Sequence, residues 1–510
     1  MRDVAPVRVR PVAGQTKVWL PLKSATLVGT TLGLLVACVV VQVALSADLV
    51  VLALAMISCA AGLAGFRIAG AYQSGAWLAF LFVLGNAIVA LVAKTLFLQP
   101  LDSNLYAPLE SFLVLTAGSA VLLIALVISL ILPVGKPVFR AIKDPRLLRF
   151  LSSSTFALGT LFWFLTRRFQ DPGGSGFGGV AVFWNLVVMA VIARTAMLLE
   201  RTDDRRSVDL RLFMILGACI VMGLIDNSKA EVALPIVAYF ITSLFYRRGV
   251  TRGQVASGTL GLVLMAVLVG PVIHTFRALG IQNMPWQQRV SLIERGVKDA
   301  LGRGDFASYQ EVASEVASRD FGSGYYDYFG KGSGQMLVGR YASIQQIDPV
   351  IATVNRRGLL GPSIIWPAFP RLLPTFIYPT KPRYTESFRL LVQLGIVDPE
   401  GGKYPTVPLL AQSYAGYGSL GLLLIPFLTF LVFLLALKKL GWNLHRNVFA
   451  ISFSCVFILV YANQGDLAQY AEAVLRNFPL LAAVFWLLAR IHRARIKPYT
   501  IAPLPTAPQQ

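Results

Sequence analysis

Apolar runs long enough to cross a bilayer recur along almost the whole of this chain, parted by short polar turns, until one long stretch breaks the rhythm. A hydrocarbon core about 30 Å thick calls for about 20 apolar residues in a helix. Runs near that length fall at 25–46, 49–66, 76–98, 112–134, 151–166, 179–199, 212–225, 231–246, 256–276, 418–437, 447–462 and 477–490. The pattern predicts an all-α polytopic membrane protein of about twelve transmembrane helices. The first run exceeds the apolar core of a signal peptide, about 7–15 residues, so it is expected to remain as a span. Between the ninth and tenth runs, residues 277–417 hold no such run. They are expected to form one large, partly helical loop outside the membrane, and long connections of this kind are usually functional.

Composition agrees with this class and adds orientation. The chain has 510 residues, 56% of them hydrophobic and only 14% charged, against about 25% charged in soluble domains. Its net charge of +21 is one-sided. If the N-terminus is cytoplasmic, the segments 1–24, 67–75, 135–150, 200–211, 247–255, 438–446 and 490–510 lie inside. They carry twenty-five Lys and Arg, whereas the short outer turns carry four: Arg167, Arg168, Lys229 and Arg476. That asymmetry orients the protein with both termini cytoplasmic, as basic tails 1–24 and 491–510, and with 277–417 facing outward. It also accounts for the basic charge without nucleic acid. Cys38, Cys59, Cys219 and Cys455 each fall inside an apolar run and read as small buried hydrophobes. No Walker loop, dinucleotide fingerprint, metal-ligand cluster or nucleophile elbow is present, so neither a cofactor nor a metal is expected.

The loop therefore draws attention. It holds fifteen Lys and Arg, and from Pro370 it reads PRLLPTFIYPTKPRY. Four prolines in thirteen residues forbid regular helix or strand and leave a stiff, extended scaffold. Arg371, Lys381 and Arg383 stand on it. Guanidinium groups bind phosphate oxygens bidentately and an ammonium adds a point charge, which suits a diphosphate; snorkelling to lipid headgroups is the plainer reading. Within GSGYYDYFGKGSG, aromatic residues between glycines suggest a loop that stacks on sugar rings, with Tyr325, Tyr326, Tyr328 and nearby Tyr341 as candidate glycan contacts and Asp327 among them; ordinary packing is the plainer reading of each tyrosine. Carboxylates that could serve as a base are Glu311, Glu315, Asp320, Asp327, Asp348 and Glu386.

These passages resemble the bacterial O-antigen polymerase family of the Wzy type. The proline-rich PR…P…KP run ahead of a late span is similar to the end of that family's large periplasmic loop. DNSKAEVALPI at 226–236 is similar to a short outer turn in which a Ser precedes a basic residue, here Lys229. GQMLVGRYASIQQIDPV places Arg340 and Tyr341 as the family's Gly-Arg-aromatic segment, and AQSYAGYGSLG at 411–421 is similar to its lead into the next span. Gln412 stands where the family often has an acid, and Lys229 where it often has Arg.

The resemblance implies a glycosyltransferase in the bacterial inner membrane. It would join undecaprenyl-diphosphate-linked oligosaccharide repeat units into a surface polysaccharide at the periplasmic face, alongside a flippase and a chain-length regulator. Cations would stabilise the departing diphosphate, with Arg277, Arg340, Arg371 and Lys381 in catalytic positions. Substrate contacts would come from Lys229, Arg383, Tyr325, Tyr326, Tyr341, Asp327, Gln412 and Tyr414. The alternatives are an O-antigen ligase, for which the loop lacks the expected histidine, a lipid-linked sugar transporter, which would need ionisable residues inside spans, and a structural subunit of an envelope complex.

Overall fold

The computed structural model describes residues 20–168, 181–226, 228–254, 256–258, 328–329, 342–366, 386–397 and 406–495, together with 288, 291 and 372. Apart from the two-residue strands Leu20–Pro21 and Gly249–Val250, the regular structure among them is helical. Lipid offers no partner to backbone N–H and C=O groups, so apolar runs of this length close their hydrogen bonds internally as helices.

The helices are α1 (Ser24–Ala44), α2 (Leu49–Ala69), α3 (Ser74–Leu96), α4 (Pro108–Ile131), α5 (Pro145–Arg168), α6 (Asn185–Arg201), α7 (Leu210–Ile225) and α8 (Lys229–Arg247). After them come α9 (Ile344–Arg357), the short α10 (Glu386–Gln393), α11 (Leu409–Leu440), α12 (Val448–Gln464) and α13 (Leu467–Ala494). Among the described residues nine helices are long and apolar enough to cross a membrane, namely α1 to α6, α8, α11 and α13; α7 and α12 are shorter apolar helices. The run at 256–276 lies outside the described residues beyond 258. The core runs down the contacts of α2 with α3 and α4, α4 with α11, and α5 with α6. All four cysteines are buried free thiols.

Two element boundaries differ most from the apolar pattern. The tenth span was expected from residue 418, but α11 starts at Leu409 and bends at Tyr417 and Gly418, where Gly418 has a φ of +61°. Only glycine enters that region without strain, so the helix turns there instead of ending. The last span was expected from 477, but α13 starts at Leu467, behind a capping box in which Asp466 accepts from Gln469 N–H. Gln469, Glu472, Arg476 and Asn477 break the apolar run without breaking the helix. Arg476 is therefore a helical residue and not part of an outer turn.

The segments richest in Lys and Arg converge on one end of the bundle. Val138 and Phe139 N–H donate to Lys439 and Leu440, Leu444 N–H to Tyr72, Ser74 N–H to Trp442, and Leu22 N–H to Arg248. Arg446 bridges Glu200 and Asp204, and Arg194, buried in α6, pairs with Asp209 at the start of α7. At this basic end His445 Nδ1 lies 3.1 Å from the Phe245 carbonyl, and its Nε2 lies 3.0 Å from Arg248 Nη2. A carbonyl only accepts, so Nδ1 carries the proton and Nε2 accepts from Arg248.

Burial holds the His445 ring below the usual histidine value, Arg248 and Arg446 push it further down, and the Phe245 carbonyl and Asp204 oppose them. The stability tied to the neutral ring is therefore present above about pH 6.5 and is lost as pH falls through the depressed folded value. The thermal midpoint of the purified protein should fall between pH 7 and pH 5, and His445→Asn, which keeps a donor near Phe245, should flatten that slope. An unchanged slope in the variant would assign the pH response elsewhere.

Candidate functional site at the far end of the bundle

Opposite the basic end, part of the long stretch 277–417 is seated in the bundle. In α3 the turn Leu84–Ile88 is a π-turn, and the Gly85 carbonyl accepts from Ser343 N–H at 3.1 Å. A methyl group on Gly85 would come within 2.2 Å of the Asn463 side chain, so glycine is what lets α12 approach. Ser343 Oγ in turn donates to the Asn463 carbonyl at 3.1 Å. From Ile344 to Val354 every residue of α9 is buried, against α4 and α11.

One turn on, Asp348 supplies the cap that α4 lacks. Ala107 precedes Pro108 and brings no side-chain acceptor. The Asp348 carboxylate accepts from Tyr106 N–H at 2.7 Å, Ala107 N–H at 2.9 Å and Ser111 Oγ at 2.9 Å. Burial raises its pKa, while these three bonds pull the other way.

Lys94, fully buried near the end of α3, fixes the neighbouring loop. Its ammonium donates to Gln99 Oε1 at 3.0 Å, Ser103 O at 2.9 Å and Ser103 Oγ at 2.8 Å, which uses all three protons. It also lies 4.2 Å from the centre of the Tyr328 ring. Tyr328 is 2% exposed and donates to the Leu101 carbonyl at 2.7 Å.

Several sequence-based expectations change here. Tyr328 is interior, so it offers no face to a sugar. Asp348 is occupied as a helix cap, which removes it from the candidate bases. Gln412 is buried, and its Oε1 accepts from Leu467 N–H at 3.0 Å, tying α11 to the start of α13. Half-buried Tyr414 donates to Asn355 Oδ1 at 2.9 Å and so joins α11 to α9. Both bonds tie neighbouring helices together. Lys229 opens α8, one residue after its cap Ser228. Arg277, Arg340, Arg371, Lys381, Arg383, Tyr325, Tyr326, Tyr341 and Asp327 lie outside the described residues, as do Glu311, Glu315 and Asp320.

A polar group that hydropathy did not single out lies on α12 and α13. Pro479 cannot donate to the carbonyl four residues back, and just ahead of it α13 widens into a π-turn at Ala473–Asn477. Arg476 Nη2 donates to Glu472 Oε2 at 2.9 Å and its Nε to Asn477 Oδ1 at 3.1 Å. The Tyr461 side chain on α12 lies within electrostatic reach of Glu472 and Arg476. The Arg476 and Glu472 side chains are 21% and 19% exposed. Leu467 begins the helix, so at about 1.5 Å per residue Arg476 lies roughly 14 Å along it, and Arg490 a further 21 Å or so. That places the pair within a helix long and apolar enough to cross a membrane. An i,i+4 ion pair returns about 0.3–0.5 kcal/mol, whereas one charge at the middle of a membrane helix costs about 2.5–3.5 kcal/mol. Stability alone is therefore a poor reason for its presence. No protein-family model, curated protein or solved structure matches this chain.

Proposed function

We propose that this protein is a repeat-unit polymerase that lengthens a glycan carried on undecaprenyl diphosphate, with twelve spans, both termini cytoplasmic and residues 277–417 at the periplasmic face of a bacterial inner membrane. The observation that carries the reading is the cation-bearing stretch 277–417, whose segment α9 is packed into the bundle at the end away from the basic loops. Such seating would hold loop cations at a fixed height over the membrane surface, where a lipid-borne diphosphate presents itself. Preorganised cations are the largest lever on a reaction whose leaving group gains negative charge. Arg277, Arg340, Arg371 and Lys381 are assigned to this role, and a general base is sought among Glu311, Glu315, Asp320, Asp327 and Glu386.

One observation favours a second reading. The Glu472–Arg476 pair lies within a helix long and apolar enough to cross a membrane, where a lipid-linked sugar transporter would need ionisable groups. A single assay separates the readings. Purified protein in vesicles should lengthen undecaprenyl-diphosphate repeat units without nucleotide sugar or divalent metal. Units that stay at length one but cross the bilayer would replace the polymerase with the transporter. Units that stay at length one but become attached to added lipid A core would replace it with the ligase.

A further inference from the structure

We propose that Arg476, flanked by Glu472, Asn477 and Tyr461, forms a site within the membrane for the phosphate of a lipid-linked diphosphate arriving sideways through the bilayer. The inference rests on the substrate class of the preceding reading and adds a place where that substrate is first held. The Arg476 side chain is 21% exposed, and its Nη1 makes no hydrogen bond among the described residues. Its other two nitrogens are anchored to Glu472 and Asn477, so the free edge has a set direction. Asn477 is 5% exposed, so the acceptor that holds Arg476 Nε is itself buried in the bundle. Next to it Leu475 is 62% exposed on the bundle surface, where lipid chains would lie.

A phosphate that reaches this depth has lost its water and needs charged donors, which the free guanidinium edge supplies. Glu472 works against it. Its carboxylate neutralises Arg476 and would repel the incoming anion, so the site is tuned for release as well as capture. That opposition gives the proposal a sign that a plain structural ion pair would not share.

The test measures retention of undecaprenyl diphosphate by the full-length protein in phosphatidylcholine nanodiscs, read by native mass spectrometry, with the thermal midpoint followed in parallel. Arg476→Gln should weaken retention roughly tenfold, as expected for loss of charge-assisted bonds, and Arg476→Lys should restore part of it. Glu472→Gln should tighten retention several-fold. Equal retention by wild type and Arg476→Gln would overturn the proposal. If Arg476→Gln does not accumulate as folded protein, Glu472→Gln decides, and unchanged or weaker retention there would overturn it. Displacement by phosphatidylglycerol as readily as by undecaprenyl diphosphate would also overturn it, because the site would then be one for ordinary headgroups. Protein that retains the lipid diphosphate but never lengthens a glycan would remove the polymerase reading and leave this site standing.

Discussion

Asp348→Ala should lower the stability of the purified protein by about 3 kcal/mol, the combined scale of a lost helix cap and of hydrogen bonds to a charged group. The carboxylate holds two backbone N–H groups and one hydroxyl at the start of α4, each at 2.9 Å or less, and Asp348 itself is 1% exposed. Removing it leaves the Tyr106 and Ala107 N–H groups with no acceptor from that side chain. Ser111→Ala removes one donor and keeps the acceptor, so it should cost only about 1 kcal/mol. The two residues bond each other, so the double variant should fall short of the sum. Denaturation followed by tryptophan fluorescence in detergent checks all three. An Asp348→Ala protein within 0.5 kcal/mol of wild type, a surface-scale change, would mean that α9 is not latched to α4 through this carboxylate.

The same latch explains what could be read from the residues alone and what could not. Spans were legible because a membrane helix must be apolar along its whole length, and the one-sided Lys and Arg pattern anticipated which turns meet at one end, as the Val138–Lys439 and Leu444–Tyr72 bonds illustrate. The start of α13 was hidden because Glu472 and Arg476 lower the local hydropathy, although Asp466 and Gln469 spell a helix start in the same few residues. That capping signal was the local clue available.

Roles of single polar residues were harder, since they depend on partners far away in the chain. Asp348 has the chemistry of a base, yet its function is set by Tyr106, Ala107 and Ser111 some 240 positions earlier. Tyr328 sits among glycines and tyrosines like a sugar platform, but Lys94 and Leu101 draw it into the interior. Gln412 falls in a motif-like passage and turns out to brace Leu467. In each case an ordinary packing demand takes a residue whose type alone suggested chemistry. Arg194 shows the converse: a charge within an apolar helix is settled by Asp209, fifteen residues on, and calls for no substrate.

Arg371→Ala and Lys381→Ala should each lower the rate of glycan lengthening by about 10²–10³, the usual effect of removing one preorganised partner of a developing charge. In cells this would leave single repeat units and no detectable polymer, at unchanged protein level. The argument comes from the sequence, since Pro370, Pro374, Pro379 and Pro382 each fix their own φ around both cations, although Leu372 is helical and the run is therefore not extended throughout. Arg371→Lys should recover little, because a point charge lacks the planar fork that grips two phosphate oxygens, whereas Lys381→Arg should recover more. If these cations only snorkelled to headgroups, Ala would shift the thermal midpoint slightly and leave polymer length as in wild type. Normal polymer from both Ala variants would return the pair to that class. Loss of polymer together with loss of the protein would instead mark the proline-rich run as structural, so quantitative immunoblotting belongs beside the glycan gel.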